Sequence, residues 1–301
     1  AHGDRLYLGG WFAQLGASSR CNIGALDTRT SAVAAWNPGA SADVCALAVD
    51  GRAVYAGGLF HRAGGGGSGL IARGRGAAFD AGSGELLSWD PQADDWIWAV
   101  LPDDERVYVG GAFHRLHGQS RHALGATDPE RGAPADWAPS LTNYDDYPLV
   151  RAVAVHDDRV WVGGRFQMLG GEWRYHLGAV DAGTGVATPW DPDLLGTPRA
   201  LAVRGNTLYV GGAFTEAGGY PVGCFCAIRL PEARPHGRPG RARAAQERPA
   251  GSLAMTCAPN PVRACARLRF ALPEGGPVTL GVYDLAGRRV ASVLDGTYLP
   301  A

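Results

Sequence analysis

Short apolar segments alternate with turns rich in Gly, Asp and Asn through the first 230 residues of this 301-residue chain. A segment of the form Val-Tyr-Val-Gly-Gly occurs five times, starting at positions 6, 54, 107, 160 and 208, so the period is 48 or 53 residues. None of the segments has the three- to four-residue apolar spacing of a helix. The pattern therefore predicts tandem repeats built from short β-strands.

Each copy contains four segments joined by turns. The first is short and apolar, as in residues 44–49, and the turn after it carries the Asp, Asn or Gly typical of a hairpin. The second is Val-Tyr-Val-Gly-Gly, and a long loop separates it from the third, Leu-Gly-Ala-x-Asp. The fourth ends in Trp-x-Pro. Four strands joined mainly by tight turns are predicted to form one antiparallel sheet.

Tandem four-stranded sheets of this size are the blades of a β-propeller, whereas the repeats of an open solenoid are usually shorter. We therefore expect an all-β fold in which residues 1–230 form a β-propeller of about five four-stranded antiparallel blades. The first copy lacks its first segment and the fifth lacks Trp-x-Pro, which leaves about four and a half blades. Because open sheet edges favour aggregation, we expect the natural protein to extend upstream.

Several side chains recur at fixed repeat positions and are interpreted as structural. The Trp-x-Pro tryptophans and the phenylalanine after Gly-Gly are expected to pack between blades. The glycines are expected to permit a bulge or a positive φ. An arginine seven residues before an aspartate is interpreted as an ion pair or a turn clamp. These positions are Trp36, Trp89, Trp137 and Trp190; Arg20, Arg73, Arg121 and Arg174; Asp27, Asp80, Asp128 and Asp181; and Phe12, Phe60, Phe113, Phe166 and Phe214.

The repeat pattern stops at about residue 230. Residues 231–252 are rich in Pro, Arg and Ala without apolar periodicity, which predicts a flexible linker. Strand patterns return in residues 253–301, where an alternating segment precedes a hairpin that we expect to turn at Leu285-Ala286-Gly287. The sequence thus predicts two β-rich domains and a connector.

Charge and composition restrict the classes of partner. The formal net charge is −1, with 28 basic residues that are all arginine, and it provides no general reason to expect nucleic acid or an anionic membrane surface. No apolar run approaches the ~20 residues of a transmembrane segment. The six cysteines fit either buried free thiols or one or two disulfides in an extracellular chain, and none has zinc spacing. We predict no metal and no cofactor.

The repeats resemble two known families. The consensus Val-Tyr-Val-Gly-Gly-x-Phe followed by Leu-Gly-Ala-x-Asp-x-x-Thr-Gly resembles the delta-60 type repeat of bacterial surface β-propellers, over residues 6 to about 230. Residues 179–190 also resemble the tryptophan-docking repeat of quinoprotein-like propellers, which implies that the tryptophan stacks across the blade interface. Quinoprotein dehydrogenases need a carboxylate-bound calcium and usually an adjacent Cys-Cys pair, which this chain lacks.

The C-terminal residues resemble the opening half of the FlgD-like immunoglobulin module, which often serves as a type IX secretion sorting tail. The resemblance rests on Asn260-Pro261, Leu272-Pro273 and the Val-Tyr-Asp-Leu-Ala-Gly-Arg-Arg-Val segment at 282–290. The later strands of that module are absent, so the resemblance implies a partial C-terminal immunoglobulin-like β-sandwich. It also implies contact with the secretion machinery and a secreted or cell-surface location.

No catalytic motif is evident. His61 and His114 occupy the same repeat position, and Gly-x-Ser-x-Gly, His-Glu-x-x-His, phosphate-loop and EF-hand spacings are absent. The acidic pairs at 103–104 and 157–158 lie in tight turns, where solvated carboxylates are usual. We therefore assign no catalytic residue.

The blade topology indicates which face would carry a ligand site. In an up-and-down blade, the loop between the second and third strands shares a face with the link to the next blade, and loops on a rigid scaffold commonly carry sites. The link at 139–149 places two tyrosines beside two acids, which suits sugar stacking and hydroxyl recognition, or a partner protein. An ordinary surface loop is the alternative. The candidate ligand-binding residues are Tyr144, Asp145, Asp146, Tyr147 and Trp173.

Two functional hypotheses follow. The first is a non-catalytic extracellular or cell-surface binding or scaffold module whose partner is a glycan or an extracellular protein. The second is a carbohydrate-active propeller enzyme, a glycoside hydrolase or lyase, that uses acids on the loop face. The uniformity of the repeats favours the first, and fold alone does not decide between them.

Overall fold

A computed structural model describes residues 3–231 and the backbone of 254–258, 267–271, 276–283 and 289–299. The chain divides into two compact units, Ala1–Ala233 and Arg234–Ala301. The described residues form antiparallel β-sheets and contain no α-helix, which confirms the predicted all-β, propeller-like fold class. Accordingly, the described part of the chain has no apolar helix of membrane-spanning length.

Five blades follow one another along the first unit. Blade 1 contains β1 (Arg5–Gly9), β2 (Gln14–Leu15), β3 (Ser18–Ser19) and β4 (Ile23–Asp27). Blade 2 contains β5 (Val44–Asp50), β6 (Ala53–Gly58), β7 (Arg62–Ala63), a 3-10 helix (Gly65–Gly67), β8 (Ile71–Ala72) and β9 (Gly76–Asp80). Blade 3 contains β10 (Ile97–Pro102), β11 (Val107–Gly111), β12 (Arg115–Leu116), β13 (Gln119–Ser120) and β14 (Leu124–Thr127).

The last two blades have the same element order. Blade 4, with the link that enters it, contains β15 (Leu141–Thr142), β16 (Leu149–His156), β17 (Arg159–Arg165), β18 (Met168–Leu169), β19 (Glu172–Trp173) and β20 (Leu177–Asp181). Blade 5 contains β21 (Leu194–Arg204), β22 (Thr207–Ala217), β23 (Tyr220–Pro221) and β24 (Phe225–Arg229).

Three long strands form the core of each of blades 2 to 5, in the orders β5-β6-β9, β10-β11-β14, β16-β17-β20 and β21-β22-β24, and blade 1 pairs β1 with β4. The fourth segment of blades 1 to 4 joins the third strand through one isolated β-bridge, made by Val33, Leu86, Pro134 or Ala187. The first strands of successive blades contact one another, β5 with β10, β10 with β16 and β16 with β21. We call this row of first strands the inner edge.

The second unit contains two antiparallel pairs. β25 (Ala254–Ala258) pairs with β26 (Arg267–Ala271), and β27 (Gly276–Tyr283) pairs with β28 (Arg289–Leu299). The turn expected at 285–287, the linker after Pro231 and the Asn-Pro and Leu-Pro positions lie outside the described residues.

The second glycine of each Gly-Gly pair lies where a side chain would collide with backbone. A Cβ on Gly111 would lie 2.0 Å from the carbonyl oxygen of Trp96, and the equivalent glycines of blades 2 and 4 have the same clearance. The first strand bulges opposite the pair, because Ile97 faces Gly111 while Ala99 faces Gly110. The Gly-Gly glycines do not have positive φ. Close approach at a bulge is therefore the reason for glycine, and the alternative expectation of a positive φ is wrong.

The first glycine of each pair accommodates the neighbouring blade. A Cβ on Gly57 would lie 2.3 Å from Cγ2 of Ile97 and 2.8 Å from Val100, both in the first strand of blade 3. The same position on blades 1, 3 and 4 receives Val44, Val150 and Pro198, whereas Gly211 of blade 5 receives no side chain from another blade. Glycine therefore sets how closely consecutive inner strands approach.

Three of the four Trp-x-Pro tryptophans donate a hydrogen bond to the blade that follows them in the chain. Trp36 is 2% exposed and donates its indole N–H to the carbonyl of Asp80 at 2.9 Å. Trp137 repeats this bond with Asp181 at 3.1 Å, whereas Trp89 donates to the hydroxyl of Thr127 at 3.1 Å. Trp190 is only half-buried. All four tryptophans also meet, edge-on, an aromatic ring in the second strand of their own blade, with ring centroids 4.6–5.2 Å apart.

The repeated arginine and aspartate act separately. Arg121 donates from Nη2 to the carbonyl of Ala135 at 2.8 Å, which ties the loop to the fourth segment. The corresponding bonds are Arg20 to Ala34, Arg73 to Leu87 and Arg174 to Thr188. The Asp128 carboxylate instead accepts N–H groups of its own turn. Among the described ion pairs, none joins Arg20 to Asp27, Arg73 to Asp80 or Arg121 to Asp128. The ion-pair interpretation is thus corrected. The arginine donates to a main-chain carbonyl, and the aspartate accepts main-chain N–H groups, so each side chain clamps the backbone separately.

Replacing Gly57 by Ala should destabilise the propeller by ~1–3 kcal/mol, because the new methyl group overlaps Ile97 and over-packed cores cost about that much. The measurement is the free energy of unfolding from urea titration. Gly69→Ala is the control, since Gly69 has open space around its Cα and no positive φ. Equal stability of the two variants would contradict the role given to Gly57.

Replacing Trp89 by Ala should cost ~3–5 kcal/mol, the usual loss for a large aromatic removed from a site that does not collapse. Trp190→Ala should cost clearly less, since Trp190 is half-buried. Thermal and urea unfolding of both variants test this order. A smaller loss for Trp89 than for Trp190 would show that docking does not stabilise the blade interface.

Candidate functional site

The loops between second and third strands fold into small hairpins on one face of the propeller, which we call the loop face. Each hairpin of blades 2 to 4 pairs with the link that enters its blade. Ala40 bridges Ala63, Ala93 bridges Leu116, and β15 pairs with β18. This pairing gives the loop face a hydrogen-bonded frame.

The link into blade 4 is enlarged relative to the links into blades 2 and 3. In blade 3, Asp94 accepts N–H groups of the hairpin, and the carbonyl of Trp96 lies against the second glycine of Gly-Gly. One residue separates Asp94 from Trp96. In blade 4, residues 143–148 separate the equivalent Thr142 and Leu149. The five additional residues carry the Tyr-Asp-Asp-Tyr sequence, so the extra chain is the part that distinguishes this blade.

The enlarged link encloses a cavity of about 350 Å³ against the loop of blade 3. Its walls are Ala112, Phe113, His114 and His122 on one side and residues 142–148 on the other. His114 meets the ring of Tyr147 edge-on, with centroids 4.7 Å apart. The cavity has the size of a small-ligand site and combines aromatic, imidazole and carboxylate groups.

Three exposed aromatic side chains form a strip beside this cavity. The ring of Tyr144 lies 5.6 Å from that of Trp173 at an interplanar angle of 29°, and Trp173 lies 5.9 Å from Tyr175 at 23°. Their exposures are 66%, 51% and 46%, so the strip presents its surface to solvent. Tyr144 also lines the cavity, and it therefore joins the two features.

Neighbouring polar side chains donate hydrogen bonds to the two aspartates of the link, Asp145 and Asp146. Arg165 donates to Asp146 at 2.7 Å, and Gln167 donates from Nε2 to Asp145 at 2.7 Å. The N–H of Tyr147 and then the charge of Arg165 lower the pKa of Asp146. Asp146 is thus ionised at neutral pH and acts as a hydrogen-bond acceptor.

Four of the five predicted ligand-binding residues line one cavity, namely Tyr144, Asp145, Asp146 and Tyr147. Trp173 lies on the aromatic strip, where it stacks on Tyr144. Whether these residues bind a ligand stays a prediction.

Sequence reasoning missed four supporting residues, His114, Arg165, Gln167 and Tyr175. His114 shares its repeat position with His61, which indicates a structural role, yet the enlarged blade 4 link reaches back to it through Tyr147. Arg165 had a readable signal, since it occupies the variable position of Gly-Gly-x-Phe, where the other copies carry Trp11, Leu59, Ala112 and Ala213.

Cysteines and metal ligands contribute little to this region. The four cysteines of the propeller are free, and only Cys226 is buried. Cys224 precedes β24 with φ of 58°, so it does not share a strand face with Cys226. Within the described residues, no three His, Cys, Asp or Glu side chains group as metal ligands.

No protein-family model matches the chain, and no curated protein is significantly similar to it. Among solved structures, a candidate 6-phosphogluconolactonase from Bacteroides uniformis is 16% identical with a TM-score of 0.46, covering 75% of this chain and 66% of its own. The extracellular domain of a candidate one-component system from B. thetaiotaomicron is 17% identical with a TM-score of 0.45, covering 76% and 27%. The computationally designed Ika8 protein is 16% identical with a TM-score of 0.42, covering 66% and 54%. At TM-scores below 0.5 these likenesses carry no argument about function.

Proposed function

We propose that this chain is a non-catalytic β-propeller module that binds a saccharide on its loop face. The observation that carries the proposal is the enlarged blade 4 link, which joins an exposed aromatic strip to a cavity. The cavity is lined by the carboxylates of Asp145 and Asp146, whose positions are fixed by hydrogen bonds. Sugar rings stack their C–H faces on aromatic rings, while carboxylates accept hydrogen bonds from sugar hydroxyls. The strip would hold successive sugar units, and the cavity that His114 and Tyr147 line together would hold one of them.

The arrangement supports binding more than hydrolysis. A glycosidase needs one carboxylic acid with a raised pKa that protonates the leaving oxygen, beside a second carboxylate. Asp27, Asp80 and Asp146 each have a lowered pKa, so none of these three is such an acid. The N–H of Tyr147 and then the charge of Arg165 lower the pKa of Asp146, which suits it to accept a hydrogen bond from a hydroxyl and not to donate a proton.

Replacing Tyr144 and Tyr147 together by Ala should weaken saccharide binding by tenfold or more, since each contributes a stacking surface worth ~1 kcal/mol or above. Both side chains are mainly exposed, so folding should survive. A glycan array identifies the saccharide, and calorimetry of wild type and variant measures the loss.

Tyr220→Ala is the matched control, because Tyr220 is a 75% exposed tyrosine of the blade 5 hairpin. It should bind as wild type does. If the double variant binds normally while changes in the turns at 103–105 and 157–158 abolish binding, the site lies on the opposite face. Binding of an extracellular protein instead of any glycan would favour the scaffold form of the hypothesis.

Export is the second part of the proposal. The resemblance of residues 260–290 to the FlgD-like module supports delivery to the cell surface or medium through the C-terminal residues, with 1–230 as the propeller, 231–252 as linker and 253–301 as sorting domain. The delta-60 resemblance of the repeats supports the same location.

Deleting residues 253–301 should leave the propeller inside the cell, because the propeller would lose the segment that contacts the secretion machinery. Fractionation of the native organism, with detection of the propeller in cytoplasm, surface and medium, measures this. The full-length protein is the reference. Cytoplasmic retention of the full-length protein would contradict the export proposal.

A further inference from the structure

The bulges of the inner edge place four side chains at equivalent positions. In each first strand, one residue lies outside the register between the residues that face Gly-Gly. The bulge lies near the end of the strand that enters from the link, so these residues lie toward the loop face. We call them the bulge row: Cys45, Trp98, Arg151 and Arg199.

Two members of the bulge row are in direct contact across a blade boundary. The guanidinium carbon of Arg151 lies 3.6 Å from the centroid of the Trp98 ring. Trp98 is supported in turn by Trp96, whose ring meets it edge-on at 5.8 Å. Stacking on an aromatic face orients the guanidinium plane and leaves its N–H groups at the edge available to a ligand.

Positive charge accumulates around Arg151, and of the three arginines involved only Arg165 has a carboxylate partner among the described ion pairs, Asp146. Among the described residues, neither Arg151 nor Arg199 forms an ion pair, and Arg199 is exposed. Burial, followed by the charges of Arg199 and Arg165, lowers the pKa of Arg151. Arg165 faces Leu149 in the register of the same blade, two residues from Arg151. An anion placed here would therefore relieve mutual repulsion as well as form hydrogen bonds.

Arg165 connects this region with the enlarged link. One of its terminal nitrogens binds Asp146, whereas its Nε is buried without a hydrogen-bond partner. The cavity of the link and the bulge row are thus neighbours on one face. A single ligand could place neutral hydroxyls near Asp146 and an acidic group near Arg151.

We propose that Arg151 and Arg199, with Trp98 as their aromatic support, form an oxyanion site that receives a carboxylate or sulfate of the ligand. The oxyanion site itself stands on the bulge geometry, and only its assignment to an acidic saccharide rests on the proposed function. Guanidinium forks bind carboxylate and sulfate oxygens in pairs, which gives both affinity and orientation.

The test measures binding of inorganic sulfate, a galacturonate trisaccharide and a neutral galactose trisaccharide at constant ionic strength, by calorimetry. Sulfate should bind saturably, and the double variant Arg151→Gln with Arg199→Gln should weaken it by about tenfold or more, as expected when charged hydrogen-bond donors are removed. Arg204→Gln is the control, because Arg204 is an exposed arginine at the other end of the same strand, β21. Arg151→Lys with Arg199→Lys keeps the charge and should restore part of the sulfate binding. Unfolding curves identify any variant that fails to fold.

The outcomes separate this inference from the proposed function. Absence of sulfate binding by the wild type, or equal sulfate binding by the folded Gln variant, overturns the oxyanion site. Sulfate binding that depends on the arginines, without binding of either trisaccharide, supports the site and counts against the saccharide proposal. If both trisaccharides bind equally and depend on Tyr144 and Tyr147, the ligand places no acidic group at the arginines. A tenfold preference for the galacturonate trisaccharide that is lost in the Gln variant supports both.

Discussion

The contact between a link carbonyl and the second glycine of Gly-Gly is the constraint on which the propeller depends. The carbonyl of Trp96 would lie 2.0 Å from any Cβ on Gly111, so the chain is this close only because the position lacks a side chain. That approach makes the first strand bulge, and the bulge releases one residue per blade from the sheet. The first glycine then receives a branched side chain of the next blade, such as Ile97 on Gly57. Two adjacent glycines thus fix both the shape of a blade and its distance from its neighbour.

Positions that are the same in all repeats and positions that differ between repeats have different roles in this fold. Glycines, docking tryptophans and backbone clamps repeat because each satisfies the main chain or fills the interface between blades. The bulge residue, the variable position of Gly-Gly-x-Phe and the link length are not needed for these contacts, so they are free to differ. Blade 4 differs from the other blades at Arg165 and in its enlarged link, and it shares an arginine at the bulge with blade 5. The candidate site lies there.

The sequence predicted the repeat and its antiparallel sheets, because short-range periodicity and turn chemistry determine these features. It also singled out the Tyr-Asp-Asp-Tyr link, because its length and composition break the repeat, and ligand binding there stays a prediction. It did not predict that Arg121 would bind a carbonyl instead of Asp128, since spacing along the chain does not reveal which main-chain groups lack partners. The strip that includes Tyr175 was missed for a related reason. Tyr175 lies two residues after Trp173 and stacks on it, but the strip forms only because the loop folds against the link that carries Tyr144, which spacing along the chain does not reveal. The bulge row was also hidden, because bulges shift register without changing the apolar pattern.

The forward direction of tryptophan docking has a consequence for biosynthesis. Trp36 precedes its acceptor Asp80 by 44 residues, and Trp89 precedes Thr127 by 38. At elongation rates of roughly 5–20 residues per second, each indole leaves the ribosome several seconds before the strand that covers it. In a nascent chain the indole of the newest blade would therefore contact only the ring of its own blade and lack its hydrogen-bond acceptor. Assembly would then advance from the N-terminal to the C-terminal blade. The ribosome would set the pace at which each indole becomes covered.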